Sequence, residues 1–361
     1  MDVKELFQEN IYGYAPLTPH HGIYNTRCID ENAYGGTARM YETEIKFAVA
    51  GPAMHVLSII PKDVCLGHFL TLNSFGNHTV CDNENITVSS DFISPENAVK
   101  QGLCMTLKAA PRGFHASRFC ARDIVAAGFG FMTCHESNIR PDHADKPFHF
   151  SDYDHLPNTH ASYPGLIMHW AWGLMRIMDF VMSNEFHHDE KKIFVTGHSR
   201  RGKAAFLAGA FDARFAAIMP HQSGTFGVSP SVKNHGETVE EINTAFPHWF
   251  CHKAKTYNGD EARLPVEQYD LLSLCAPRPF LAANALQDHW SDPDGAFAML
   301  KKIMPFYVHD GFKAVSQQYY DEKIGEVIHD DRLNYYIREG GHGLTQDDWR
   351  AFITFARHHF E

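Results

Sequence analysis

Ser199 lies in the segment Lys191 to Lys203, KKIFVTGHSRRGK, where a short apolar run ends in Gly-His-Ser-Arg-Arg-Gly and an alanine-rich helical pattern follows. A strand that turns sharply into a helix at a serine flanked by glycines has the layout of a nucleophile elbow, which lifts the hydroxyl out of a sheet. The common spacing is Gly-x-Ser-x-Gly, whereas here the second glycine comes one place later, at Gly202. A serine hydroxyl attacks at neutral pH only when a histidine takes its proton and an acid fixes that histidine. Downstream stand Asp288, just after an apolar strand pattern, and His342, in a glycine-bounded loop before the last helical pattern. Singly, these read as a turn carboxylate and a polar loop histidine. Their order, serine then acid then histidine, and their places at strand ends point to acyl transfer. The backbone N–H of Arg200 is the first donor expected for the oxyanion, and the Gly76-Asn77 loop is expected to supply others. The Arg200 guanidinium adds a cation there; the plain alternative for Arg200 and Arg201 is an exposed basic pair.

Apolar runs bounded by turn residues mark the strands that must present these groups, at 55–60, 68–73, 129–134, 193–196, 216–219, 279–284 and 334–337, with a further strand pattern at 39–48. Helical periodicity falls at 3–10, 116–127, 164–182, 204–210, 238–249, 264–274 and 348–359, and the stretch 116–127 closes on Gly128. The alternation predicts an α/β fold with a mainly parallel central sheet and helices on both faces, a three-layer αβα sandwich. Residues 81–115 and 138–162 are polar and read as loops inserted into a single catalytic domain spanning 1–361. The second follows strand 129–134 at its carboxyl end, the edge where open sheets of this kind bind ligands.

The 361 residues are 44% hydrophobic and 21% charged, as in soluble globular proteins. A net charge of −11 without an extended basic cluster excludes nucleic acid and an anionic membrane surface as partners and leaves a small molecule or a polysaccharide. No run of eighteen apolar residues occurs, and the opening MDVKELFQENIYGYAP lacks a signal-peptide core and cleavage site. The location expected is therefore cytoplasmic as given, or secreted or periplasmic if a signal has been removed. Eight cysteines without a Cys-x-x-Cys pair predict free thiols. Among the 25 histidines, the pairs His20-His21, His187-His188 and His358-His359 are expected to be solvated or locally bonded rather than to bind metal. Adjacent helix positions do not face one ligand.

The segment GHSRRGKAAFLAGAFDARF resembles the Gly-Cys-Ser-Arg-x-Gly-Lys segment of the glucuronoyl esterases, carbohydrate esterase family 15, and more closely that of bacterial members with histidine before the serine. The segments LFQENIYGYAP, FGNHTV, ASRFCARDIVAAGFG, WAWGLMRIMDF, GETVEEINTAFPHWF, LPVEQYDLLSLCAPRPF, DHWSDPDGAF and GGHGLTQDDW extend the likeness over most of the chain. The resemblance implies an α/β-hydrolase that cleaves esters of glucuronic acid, as in the links between glucuronoxylan and lignin alcohols, without a metal or organic cofactor. Matched by motif, Ser199 is the nucleophile, His342 the base, Arg200 the oxyanion-side arginine, Lys203 a ligand of a sugar hydroxyl, Trp290 the tryptophan that meets the uronate and Glu237 a polar sugar contact. Read without the family, Lys203 is an elbow-helix surface lysine and Trp290 a core aromatic.

Two departures matter. Many members have a glutamate two residues before the Ser-Gly that follows the strand at 216–219, whereas PHQSG puts neutral Gln222 near that place; a glutamine cannot stabilise an imidazolium as a carboxylate does, so the acid role falls to Asp288. After Ser223-Gly224 the chain reads TFGVSPSVKNHG, without the arginine pair common in relatives, which leaves specificity toward the polymer open. The competing readings are a carbohydrate acetyl esterase using the same triad and an inactive carbohydrate-binding relative. Intact Ser199, Asp288 and His342 argue against the second.

Overall fold

The computed structural model describes residues 2–89, 91, 93, 110–232, 235–309, 324–330 and 332–361. The chain forms two compact units, one from Met1–Pro16, His155–Trp172 and Phe194–Glu361, the other from Leu17–Asp154 and Gly173–Ile193.

In the second unit, strands β1 (Ile23–Asn32), β2 (Ala38–Lys46), β3 (Met54–Pro61), β4 (His68–Asn73) and β5 (Gly130–His135) lie in the order β1-β2-β3-β5-β4. All neighbours are antiparallel except β4 and β5. Strands β3, β4 and β5 are buried almost throughout, as their unbroken apolar runs require, while β1 and β2 retain exposed positions. The strand β1 was not legible, because IYNTRCIDEN carries too few apolar residues to mark a buried face. The helix expected at 116–127 is broken into Ala116–Phe119 and Ala121–Ala126 by Cys120, whose φ of 49° is left-handed. Gly128 follows at φ 84°, the conformation a glycine helix end supplies.

The first unit carries β6 (Ile193–His198), β7 (Ala217–His221), β8 (Phe280–Ala285), β9 (Val327–Asp330) and β10 (Leu333–Arg338) in the order β6-β7-β8-β10-β9. The first four positions are parallel and β9 pairs antiparallel at the edge. The elbow helix Arg200–Phe211 packs on β7, the helix Pro293–His309 on β8 and β10, and the closing helix Gln346–Phe360 on β9 and β10. Two expected helices are shorter than their periodicity suggests. The stretch 238–249 starts at Val239 under a Thr238–Glu241 capping box and ends at Ala245, because Pro247 disfavours helical backbone at Phe246. The stretch 264–274 is helical only over Gln268–Ser273, after Pro265 and a Glu267–Asp270 capping box. Where they are described, the loops at 81–115 and 138–162 contain turns and one 3-10 turn of helix, Ser151–Tyr153, and the middle of the first lies outside the described residues. Among the described residues no helix is long and apolar enough to cross a membrane.

Arg278 closes this unit beneath the sheet. Its guanidinium donates to the carbonyls of Gly209 (2.7 Å), Asp212 (3.0 Å), Leu274 (3.1 Å) and Phe215 (3.2 Å), satisfying orphan acceptors at two helix ends. Arg278→Ala is expected to cost about 2–3 kcal/mol of stability, since these carbonyls lose a charged donor. Urea unfolding with an unchanged m-value would measure it.

Candidate active site

The elbow explains its own spacing. Ser199 sits between β6 and the elbow helix at φ 60°, ψ −128°, a strained conformation for a residue with a side chain. A Cβ on Gly197 would stand 2.3 Å from the carbonyl oxygen of Arg201, and one on Gly202 would stand 2.7 Å from that of Gly197 and 2.9 Å from that of His221. Gly202, not the residue two after the serine, is thus the point where helix, strand and β7 touch backbone to backbone. That is why the second glycine is displaced.

His342 lies in the loop after β10, with its Nδ1 2.8 Å from Oδ2 of Asp288, which stands after β8. Burial pushes the Asp288 carboxyl up, but the hydrogen bond and charge of His342, the Ser291 hydroxyl and the charge of His221 outweigh it and leave the pKa below the usual value. The ring of His342 rests 4.5 Å from that of His198, the residue before Ser199. Ser199, Asp288 and His342 stand in the segments that follow the carboxyl ends of β6, β8 and β10.

Arg200 and Arg201 are both buried, against the alternative of an exposed pair. The Arg200 guanidinium carbon lies 4.4 Å and 5.0 Å from the ring centres of Trp249 and Phe246, which are stacked on each other. The Gly76-Asn77 loop belongs to the other unit. There the Gly76 N–H donates to Asn73 Oδ1 at 2.8 Å, so this one amide of the loop is already bonded.

Lys203 is no surface lysine. It is buried, and Nζ donates to the carbonyls of Ser223 (2.6 Å) and Thr225, tying down the loop after β7. Burial lowers its pKa to about 8, opposed by the charge of Glu237. Burial raises the pKa of Glu237 in turn, while Lys203 and a hydrogen bond from Trp290 pull it down. The Glu237 Oε1 atom is buried with no hydrogen-bond partner. Trp290, read as a possible core aromatic, is 54% exposed, and its carbonyl accepts the Glu237 N–H at 3.0 Å.

Sequence reasoning missed a second charged centre. Asp348, at the start of the closing helix, is fully buried and accepts from Arg338 Nε (2.8 and 3.0 Å), Thr345 N (2.7 Å) and Thr345 Oγ1 (2.8 Å). His221 Nε2 is 3.1 Å from the same carboxylate, and His221 Nδ1 is 3.0 Å from Nδ1 of His198. The sequence held one signal for this: TQDD is a capping box, with Thr345 as N-cap.

Among the described residues two clusters could hold an ion, and both draw on histidine pairs expected to be merely solvated. Cys65, His68 and His188 meet in the second unit, and His329, His358 and His359 in the first. Each cluster needs a partner from a distant strand or loop, which adjacency in sequence cannot reveal. The Cys65 sulfur lies 3.9 and 3.8 Å from the two ring nitrogens of His68, so it faces the ring between them rather than the lone pair of either. Asn334 bonds both His329 (3.0 Å) and His359 (3.1 Å). His20 and His21 are exposed.

A parallel sheet with an elbow serine and an acid–histidine pair at its strand ends defines an α/β-hydrolase. A family profile described as "Glucuronyl esterase, fungi" matches residues 122–309, more than half of the chain. Carbohydrate esterase MZ0003, from an unknown prokaryotic organism, is 33% identical over 99% of this chain and 83% of its own length. The chain belongs to the glucuronoyl esterase family, carbohydrate esterase family 15. It is similar to a solved structure described as a promiscuous CE15 esterase from the marine bacterial metagenome, with 33% identity, a TM-score of 0.88 and coverage of 99% of this chain and 90% of that one. A glucuronoyl esterase from Solibacter usitatus gives 29% identity, a TM-score of 0.86 and coverage of 99% and 91%.

The pKa of Asp348 gives a testable sign. Burial would raise it, but the charge and hydrogen bond of His221, with Arg338 and Thr345, hold it far below the usual carboxylate range. A carboxyl depressed in the folded state contributes its full stability above its unfolded value, about 3.9, and loses it as pH falls. Urea midpoints at pH 7, 4 and 3 should fall steeply in wild type. Asp348→Asn should start lower at pH 7 and lose less on acidification.

Proposed function

We propose that this protein is a serine carboxylic-ester hydrolase that cleaves glucuronoyl (4-O-methyl-glucuronate) esters through an acyl-enzyme, with residues 1–361 acting as one catalytic domain. Ser199 Oγ attacks the carboxyl carbon of the uronate while His342 takes its proton, and Asp288 stabilises the imidazolium that forms. The Arg200 backbone N–H, at the start of the elbow helix, meets the oxyanion, and the Arg200 guanidinium adds positive charge near it. Collapse expels the alcohol, which takes the proton back from His342. Water then attacks the acyl-enzyme by the same route and releases the free uronic acid. Membership of the family and the names of its relatives support the substrate class.

One observation carries the sugar-binding side of this reading. Glu237 Oε1 is buried without a partner, and the same carboxylate takes a hydrogen bond from exposed Trp290. A buried acceptor left open costs free energy unless a ligand donates to it, and a sugar hydroxyl is such a donor. Trp290 is the flat wall beside that hydroxyl, and Lys203, with two of its donors given to carbonyls, has a third for the sugar.

The nucleophile is tested by Ser199→Ala, which should lose roughly three or more orders of magnitude in turnover of methyl glucuronate while its circular dichroism stays that of the wild type. Retained turnover would remove the acyl-enzyme route.

Substrate preference is tested at Glu237, because Lys203 also holds the loop after β7 and its removal would disturb every substrate. Glu237→Gln should lower kcat/KM on methyl glucuronate by about 10- to 150-fold, the loss of one charge-assisted hydrogen bond, and leave p-nitrophenyl acetate little changed. Equal losses on both, or a wild type faster on acetylated sugars than on glucuronate esters, would favour an acetyl esterase.

A further inference from the structure

His342 is carried by the loop Gly340-Gly341-His342-Gly343, and the histidine side chain is 41% exposed. Nothing lies within 4 Å of where a Cβ would stand on Gly341 or Gly343, and Gly340 has a φ of 100°. A stretch so rich in glycine loses much backbone freedom on ordering and gains almost no packing in return. Something else must hold it.

Three side chains do so, and they grip different places. Gln287 Oε1 accepts the N–H of Gly340, and Arg338 donates to the carbonyls of Glu339, Gly341 and Gly343. Gln222 binds both flanks of His342 with opposite ends of one carboxamide: Oε1 accepts the Gly343 N–H at 2.8 Å, and Nε2 donates to the Gly341 carbonyl at 3.4 Å. Gln222 is itself anchored by burial and backbone bonds. It is 1% exposed at the end of β7, its N–H donates to Ala283 O at 2.7 Å, and its carbonyl accepts from Ser291 Oγ at 3.4 Å. Ser291 also bonds Asp288. One residue thus ties the backbone around His342 to the turn that holds Asp288.

We infer that Gln222 is a positioning residue for His342, a clamp whose one donor and one acceptor hold the loop so that the imidazole stays on Asp288; this rests on His342 being the catalytic base. The amide is required chemically. A carboxylate here would accept from Gly343 N–H but set a negative oxygen against the Gly341 carbonyl, whereas a protonated acid would again offer one donor and one acceptor.

Gln222→Met, which keeps the length and removes both bonds, should lower kcat on methyl glucuronate by about 10- to 100-fold, with KM within about twofold. Gln222→Glu should be impaired as strongly at pH 8 and recover relative to wild type as pH falls, its kcat ratio to wild type rising at least about fivefold by pH 5.5. A purely structural role would not produce that opposite slope. The charged or titratable groups around the pair are His342, Asp288, His198, His221, Arg338 and Asp348. An ionised carboxylate in Gln222→Glu would favour protonated His342 and so lower the ratio as pH falls, which makes a rising ratio the signature of the introduced acid taking up its proton. Wild-type kcat in Gln222→Met, or a Gln222→Glu enzyme at or above wild type at pH 8, or a ratio flat with pH, overturns the clamp. His342→Ala run alongside separates the two failures. Activity surviving in His342→Ala overturns the base assignment and the clamp together, whereas loss there with an unaffected Gln222→Met overturns the clamp alone. If Gln222→Met does not fold, the pH ratio of Gln222→Glu decides by itself.

Discussion

A carboxylate without access to water has to be surrounded by donors, and Asp348 imposes that requirement on the catalytic unit. Its partners come from β7 (His221), β10 (Arg338) and the cap of the closing helix (Thr345), so satisfying one charge aligns three elements. Each partner then reaches further. Arg338 holds the carbonyls of the His342 loop, and His221 meets His198 beside the nucleophile. The geometry at the surface of the site is thus inherited from a fully buried ion cluster below it.

Above that cluster, the site separates two kinds of carboxylate. The Asp288 carboxyl is held below its usual pKa, against the cost of burial, by the hydrogen bond and charge of His342. Glu237 goes the other way: burial raises its pKa, and Lys203 and Trp290 pull it only part of the way back. Lys203 is likewise divided between two duties. Its ammonium organises the loop after β7 through two carbonyls and sits within the field of both Glu237 and Asp288.

Much of this was legible because its causes are local. Ser199 between glycines, an alanine-rich elbow helix, and Asp288 and His342 after apolar runs follow from turn chemistry and strand burial, which leave marks in neighbouring residues. The helices 238–249 and 264–274 were overdrawn for a local reason too, since Pro247 and Pro265 outrank periodicity. The strand β1 escaped because an edge strand with exposed positions has no apolar pattern to read.

By itself the sequence determined most of the element types, the order of Ser199, Asp288 and His342 and the family, since each depends on residues adjacent in the chain or on ordered motifs. It could not say that Gly202 is the glycine that meets Gly197 and β7, that Gln222 grips the loop of His342, or that Asp348 joins Arg338 to His221. Those are contacts between residues up to about a hundred and thirty positions apart, and no periodicity encodes a distance across space. Only when parallel strands are brought side by side do the ends of β6, β7, β8 and β10 become neighbours, and the buried charges there then select the partners that satisfy them.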